Sequence, residues 1–102
     1  MISVYIYHSC ILIFSVFFAP DKPLFHEVNH VNGQDGATER NCLIESARIA
    51  RGKVAPVSEL KASDFAAVVF PGGFGAAKNL SSFGYEGADM SVDAEVRSDN
   101  ED

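Results

Sequence analysis

The sequence predicts an α/β fold, and two stretches of the chain carry that prediction. Residues 66–70 form an apolar run typical of a buried strand, and the Pro-Gly-Gly turn at 71–73 leads into residues 75–80, which can begin a helix. Earlier in the chain, Asn41 can cap a helix over residues 42–51. A strand that ends in a glycine turn and leads into a helix is the local unit of open α/β sheets.

The helix over residues 42–51 is supported by its spacing and its end signal. Leu43, Ala47 and Ala50 fall on one face at helical spacing. Gly52 follows as a natural stop. We therefore expect a helix of about ten residues with one apolar face.

The N-terminal stretch, residues 1–19, has no charged side chain. Its length approaches that of a membrane span, and a secretory signal is a second alternative, although the positively charged start of a signal is missing. Its Ile, Val, Phe and Tyr residues favour strands. We interpret residues 1–7 and 11–18 as two buried strands and keep a membrane or signal segment as the alternative.

Turn and cap residues predict the shorter elements. Residues 20–23 form a turn cluster, residues 24–31 suggest a short strand, and residues 32–36 are expected to form a loop. Residues 56–61 predict a short helical turn. Ser91 can cap a last helix near the end of the chain.

Size and charge limit the classes of protein. The chain has 102 residues, 47% of them hydrophobic, which fits one small globular domain. Of its 14 acidic and 8 basic residues, seven acidic residues and one arginine lie in residues 86–102, so the net charge of −6 belongs to this end. We expect residues 98–102 to be a disordered acidic tail. No basic stripe is present, which argues against a nucleic acid partner.

The strand over residues 66–70 is apolar on both faces, so we expect it to be a central parallel strand. Gly72 and Gly73 would then expose backbone N–H groups at its carboxyl end, where open α/β sheets bind ligands. Such donors favour anions and suit a carbonyl oxygen that becomes an oxyanion. The alternative is that the two glycines only form a tight turn.

Two further patterns have weaker interpretations. His26-Glu27-Val28-Asn29-His30 matches a zinc-binding H-E-x-x-H motif, but that motif requires a helix, and Val28 and Asn29 are poor helix formers. We expect these histidines in a surface strand or loop, with no metal site. Cys10 and Cys42 match no metal spacing and no disulfide framework, and we expect both to be buried thiols.

Several segments together resemble the ElbB-like proteins of the class I glutamine amidotransferase-like (PfpI-type) superfamily. The resemblance extends over roughly residues 16–97, which would form a partial domain with residues 1–15 atypical. It is carried by VFFAPD at 16–21, HEVNH at 26–30, ESARIARGK at 45–53 and FPGGFGAAKNL at 70–80.

This resemblance implies an incomplete doubly wound (flavodoxin-like) three-layer α/β sandwich with a parallel sheet. The family active site uses a Cys nucleophile on a strand-to-helix elbow, a Glu from the first strand–helix turn, and an oxyanion site beside the Pro-Gly-Gly turn. Only the oxyanion site maps onto this chain, at Gly72 and Gly73. Residues 1–15 stand where the family has its first strand, helix and Glu, and the sequence ends at Asp102 before an elbow is reached.

The resemblance therefore implies a truncated, catalytically silent relative of glyoxalase-like enzymes. Its expected ligand is a small carboxylate or aldehyde, without cofactor or metal, and its expected location is the mitochondrion, although no transit peptide is visible. One alternative is a binding or self-associating module that uses open sheet edges. Another is a membrane-anchored or secreted form through residues 1–19, and a cytoplasmic protein is also compatible.

Overall fold

The computed structural model describes residues 2–8, 12–36 and 39–98, with side chains from residue 14 to residue 97. Within these ranges the chain combines strands and helices and contains a parallel strand pair, which confirms the α/β fold class. The strands are β1 (Ile2–His8), β2 (Leu12–Ala19), β3 (Glu27–Asn29), β4 (Gln34–Gly36), β5 (Val54–Pro56) and β6 (Ala67–Val69). The helices are α1 (Cys42–Ala50), α2 (Gly73–Asn79), α3 (Phe83–Glu86) and α4 (Ala94–Ser98), with 3-10 turns at Val57–Glu59, Ala62–Asp64 and Gly87–Asp89.

The main sheet has four strands in the order β5-β2-β1-β6. Strand β2 pairs with β5 in parallel, and Phe18 lies opposite Ala55. Strand β1 pairs antiparallel with both β2 and β6. Strands β5, β2 and β6 therefore run in the same direction, and β1 runs against them. The carboxyl ends of β2, β5 and β6 consequently meet at one edge of the sheet.

The expectation of a central parallel strand at residues 66–70 is wrong in its position and its pairing. Strand β6 is at the end of the strand order, and its hydrogen-bonded neighbour β1 is antiparallel to it. The reason is the N-terminal hairpin, which inserts β1 between β2 and β6. Val69 is 38% exposed, so the apolar run is not covered on both faces by the described residues.

The N-terminal stretch forms strands, as the sequence predicts. Strands β1 and β2 make a hairpin whose register runs from Ile2 opposite Phe18 to His8 opposite Leu12. Burial is only partly as expected. Phe14 and Phe18 share one face of β2 by alternation, yet Phe14 is 57% exposed and Phe18 only 5%. Among the described helices, none has the length and apolarity needed to cross a bilayer.

Helix α1 begins and ends where its local signals predict. The Asn41 side chain accepts hydrogen bonds from the N–H groups of Leu43 and Ile44, so it caps the first turn. Arg51 adopts a left-handed conformation with φ 53° after the last helical residue, and the Gly52 N–H bonds back to the Ala47 carbonyl at 2.8 Å.

Two shorter expectations need correction. Residues 32–36 do not form only a loop, because β4 pairs with β3 in a second, two-stranded sheet. Residues 30–33 form the four-residue connection of this hairpin, and Gly33 ends it at φ +72°. The last helix is capped by Asp93, whose carboxylate accepts the Glu95 N–H at 3.1 Å. Ser91 instead donates its N–H to the Ser82 hydroxyl at 2.8 Å.

The remaining expectations on short elements hold or fall outside the described residues. The turn cluster at 20–23 and the helical turn after Pro56 are both present. Cys10 and residues 99–102 of the expected acidic tail are outside the described ranges.

The hydrophobic core lies between the sheet and the segments that follow β5 and β6. Phe18 of β2 packs edge-on against Phe65, with ring centroids 5.9 Å apart. Leu80, just after the end of α2, and Val96, in the middle of α4, join the same cluster. Only the short helix α2 separates Leu80 from the Pro-Gly-Gly turn. The packing of Leu80 in the core therefore fixes the position of the turn relative to the sheet. The buried cluster contains Phe18, Val57, Leu60, Leu80 and Val96.

Candidate functional site

The Pro-Gly-Gly turn lies at the carboxyl edge of the sheet, directly after β6. Gly72 adopts φ 78° and ψ −150°, and Gly73 adopts φ 82° as the first residue of α2. L-residues rarely occupy this region, so two consecutive glycines are required for the turn. Both residues are exposed, and no side chain caps the helix. The first turn of a helix has no internal partners for its N–H groups, so α2 presents donors at this edge.

Cys42 lies closer to this edge than its position in the sequence suggests. It is the first residue of α1, and it shares a groove of about 210 Å³ with Pro20, Glu45, Gly75 and Leu80. The Cys42 thiol is nevertheless buried, with 5% of the residue exposed, as the sequence predicts. Glu45 in the same groove is paired with Arg48 at 3.2 Å.

Burial decides the protonation of the Cys42 thiol. Desolvation raises the pKa of Cys42 above its usual 9.0, and the nearby positive charge of Lys22 opposes this only in part. The thiol is therefore protonated at neutral pH, and the thiolate needed for nucleophilic attack is scarce.

His26 and His30 flank β3 and are not on a helix, which confirms that they do not share a helical face. His26 Nε2 is 3.8 Å from the Asp35 carboxylate, and its buried Nδ1 has no hydrogen-bond partner in the described residues. The described residues contain no group of three His, Cys, Asp or Glu side chains placed to hold a metal ion.

Three long-range contacts tie this region together, and the sequence gives no signal for any of them. The Asn79 carboxamide accepts the Phe25 N–H at 2.9 Å, and the Phe25 ring stacks on Tyr85 with centroids 3.9 Å apart. Lys22 forms an ion pair and hydrogen bond with Asp93, 71 residues further along the chain. These contacts hold the segment after β2 against α2, α3 and the residue that precedes α4.

Comparison with known proteins places this geometry in a family. No protein-family model matches the chain. It is 54% identical over 80 residues to the human glutamine amidotransferase-like class 1 domain-containing protein 3, mitochondrial, and 52% identical over 80 residues to the rat ES1 protein homolog, mitochondrial. The zebrafish ES1 protein, mitochondrial, is 37% identical over 84 residues. Each of these matches covers 78% of this chain.

The chain carries part of a glutamine amidotransferase-like class 1 domain. A solved structure agrees, since the isoprenoid biosynthesis protein with an amidotransferase-like domain from Ehrlichia chaffeensis matches with a TM-score of 0.70 and 36% identity. That match covers 79% of this chain and 38% of the bacterial one. The amidotransferase-like chain spans about 30% of the length of the human and rat relatives.

These comparisons confirm the resemblance found in the sequence and the α/β fold that it implies. The curated relatives are named as mitochondrial proteins, in agreement with the location that the resemblance implies. Within the amidotransferase-like chain, the structure brings Cys42 and Gly75 to one groove, although the sequence places them on unrelated elements. The roles of Gly72 and Gly73 as oxyanion donors stay a prediction.

Proposed function

We propose that this chain is a catalytically silent glutamine amidotransferase-like protein. The observation that carries the proposal is the N-terminal hairpin. Strands β1 and β2 are separated by three residues, which is too few for a helix, so the first strand–helix turn that carries the family's Glu has no counterpart among the described residues. Strand β1 also runs against its neighbours, so its carboxyl end points to the edge opposite to Gly72 and Gly73.

The thiol chemistry of the family has no suitable nucleophile among the described residues. Attack on the carbonyl of a 2-oxoaldehyde such as methylglyoxal requires a thiolate, with the developing oxyanion held by backbone donors. Gly72 and Gly73 supply candidate donors. Cys42 is buried, and its pKa is raised by that burial. The proposed outcome is therefore retention of a small carboxylate or aldehyde without turnover.

The test is methylglyoxal consumption by the purified chain. We expect no consumption above a control of buffer plus an equal concentration of free thiol. Cys42→Ser should behave as the unmodified chain, because burial raises the pKa of Cys42 and leaves its thiolate scarce at neutral pH. Sustained turnover that Cys42→Ser abolishes would refute the proposal and identify Cys42 as the nucleophile of a rearranged site.

A second candidate function, self-association, is favoured by the open parts of the sheet. Strands β5 and β6 are the edge strands of the described sheet, and the face of β2 around Phe14 and Val16 is exposed. Unpaired edges and uncovered apolar faces favour association with another chain.

We also propose that the chain resides in mitochondria, because its relatives are named as mitochondrial proteins. Following a tagged chain in fractionated cells tests this location.

A further inference from the structure

A large cavity lies between the β3–β4 hairpin and helix α2. We call it the hairpin cleft; its volume is about 540 Å³, within the range of small-molecule sites. Neither Gly72 nor Gly73 lines it. Its walls are both apolar and charged, and the residues that matter here are Val28, Phe74, His26, Glu27, Arg40 and Lys78.

The Glu27 carboxylate of the hairpin cleft already has partners. One Glu27 oxygen accepts the N–H groups of Glu39 and Arg40 at 2.9 and 2.6 Å, and the other lies 3.8 Å from Arg40 Nε. Asp35 faces His26 Nε2 at 3.8 Å. Lys78, in contrast, has no described carboxylate within ion-pair distance. Lys78 is therefore available to a ligand carboxylate, whereas the Asp35 side chain is 54% exposed to solvent.

An aromatic surface lies beside that ammonium group. Phe74 is 81% exposed, and Lys78 Nζ is 5.9 Å from the centre of its ring, one helical turn away on α2. An exposed phenyl ring next to an unpaired cation suits a ligand that has both an apolar body and a negative charge. His26 adds an imidazole whose buried Nδ1 has no partner in the described residues, which is an unmet hydrogen-bonding capacity at the wall of the cleft.

We propose that the hairpin cleft binds a small organic carboxylate with an apolar or aromatic body. Lys78 pairs with the carboxylate, and Phe74 and Val28 contact the body. This inference does not depend on catalytic silence, because none of these residues is asked to react.

Three related probes test the proposal: 3-phenylpropionate, 3-phenylpropanol, which lacks the charge, and propionate, which lacks the ring. Binding is followed by chemical shifts of the backbone amides in ¹H–¹⁵N spectra of the full chain. We expect 3-phenylpropionate to shift the amides of Gly33, Gly75 and Lys78 with a Kd of about 1 mM, a typical affinity for a ligand of this size. The other two probes should bind much more weakly.

Two variants with matched controls locate the site. Lys78→Gln should weaken 3-phenylpropionate binding about tenfold, since it removes a charge-assisted contact. Lys61→Gln, at an exposed lysine outside the cleft, should not. Phe74→Ala should also weaken binding, whereas Phe83→Ala, at an exposed phenylalanine of α3, should leave it unchanged. Each of three results would overturn the proposal. They are equal affinities of Lys78→Gln and Lys61→Gln for 3-phenylpropionate, binding of 3-phenylpropanol as tight as that of 3-phenylpropionate, and no shifts at about 10 mM 3-phenylpropionate.

Discussion

The Asn79 carboxamide joins helix α2 to the segment that precedes the β3–β4 hairpin: its oxygen accepts the Phe25 N–H at 2.9 Å, and its nitrogen donates to the Gly75 carbonyl at 2.9 Å. We expect Asn79→Ala to lower the free energy of unfolding by about 1–2 kcal/mol, because two hydrogen bonds are lost. Urea denaturation measures this change. Asn32→Ala is the control for purely local bonds, since both of its side-chain hydrogen bonds join it to Gln34 two residues away, and it should cost less. Equal losses in the two variants would contradict the bridging role.

The Lys22–Asp93 pair predicts a pH dependence of stability. Burial alone would raise the pKa of the Asp93 carboxyl, but the hydrogen bond and charge of Lys22 outweigh burial and hold that pKa below its usual 3.8. A carboxyl group with a depressed folded-state pKa stabilises the fold above its unfolded pKa. This stabilisation is lost as the pH falls through the lower, folded-state value.

Asp93→Asn separates this charge effect from helix capping, since Asn retains the cap that Asp93 provides to α4. We expect the variant to lose about 1 kcal/mol at neutral pH and to show a flatter decline of stability between about pH 5 and pH 2. Urea denaturation across this range is the measurement. Asp64→Asn, at an exposed aspartate, should leave the profile unchanged. An Asp93→Asn profile as steep as that of the original chain would show that another group titrates.

Two glycines in neighbouring helices should respond to alanine in opposite directions. A Cβ added at Gly84 of α3 would lie 3.1 Å from the Ala77 carbonyl oxygen and 2.7 Å from Lys78 Cγ, whereas a Cβ at Gly75 of α2 meets nothing within 4 Å. We expect Gly84→Ala to destabilise the chain by about 1–3 kcal/mol through overpacking. Gly75→Ala should stabilise it by about 0.5–1 kcal/mol through helix propensity. Thermal unfolding of both variants gives the signs, and a stabilised Gly84→Ala would show that α2 and α3 are not in close contact.

The local signals in the sequence predict local structure well. Asn41 and Gly52 mark the two ends of α1 because capping depends on residues within one turn. The strand at β6 and the glycine turn after it are likewise encoded by adjacent residues. The strand predicted within residues 24–31 contains β3, but the sequence does not predict β4, because the polar residues after Asn32-Gly33 do not alternate as a strand usually does.

The sheet order and the cleft depend on contacts that no local pattern encodes. The direction of β6 relative to its neighbour is decided by β1, which lies more than sixty residues earlier in the chain. The hairpin cleft needs both the β3–β4 hairpin and α2, and their placement depends on the Phe25–Asn79 hydrogen bond. The family resemblance identifies the Pro-Gly-Gly turn but does not cover residues 1–15, and these residues form most of the hairpin that changes the sheet.

Self-association should occur through the uncovered face of β2. Phe14 is 57% exposed and lies beside Val16 on the same face. We expect the mass measured by sedimentation equilibrium to rise with concentration, and Phe14→Lys to reduce that rise. Val31→Lys, at an isolated valine in the hairpin turn, is the control and should not. A concentration-independent monomer with a sharp, reversible thermal transition would contradict this expectation.

The last prediction concerns the reactivity of Cys42. Burial raises the pKa of its thiol, so the thiolate fraction at neutral pH is smaller than that of a free cysteine. In a Cys10→Ser background, which leaves Cys42 as the single thiol, we expect iodoacetamide to alkylate the folded chain at least about tenfold more slowly than the chain in urea. Mass spectrometry of quenched samples gives both rates, and raising the pH should accelerate the folded-state reaction over a range above that of free cysteine. Alkylation at neutral pH as fast as in urea would mean that the thiol is accessible and ionised, and that result would remove the physical basis for a silent Cys42.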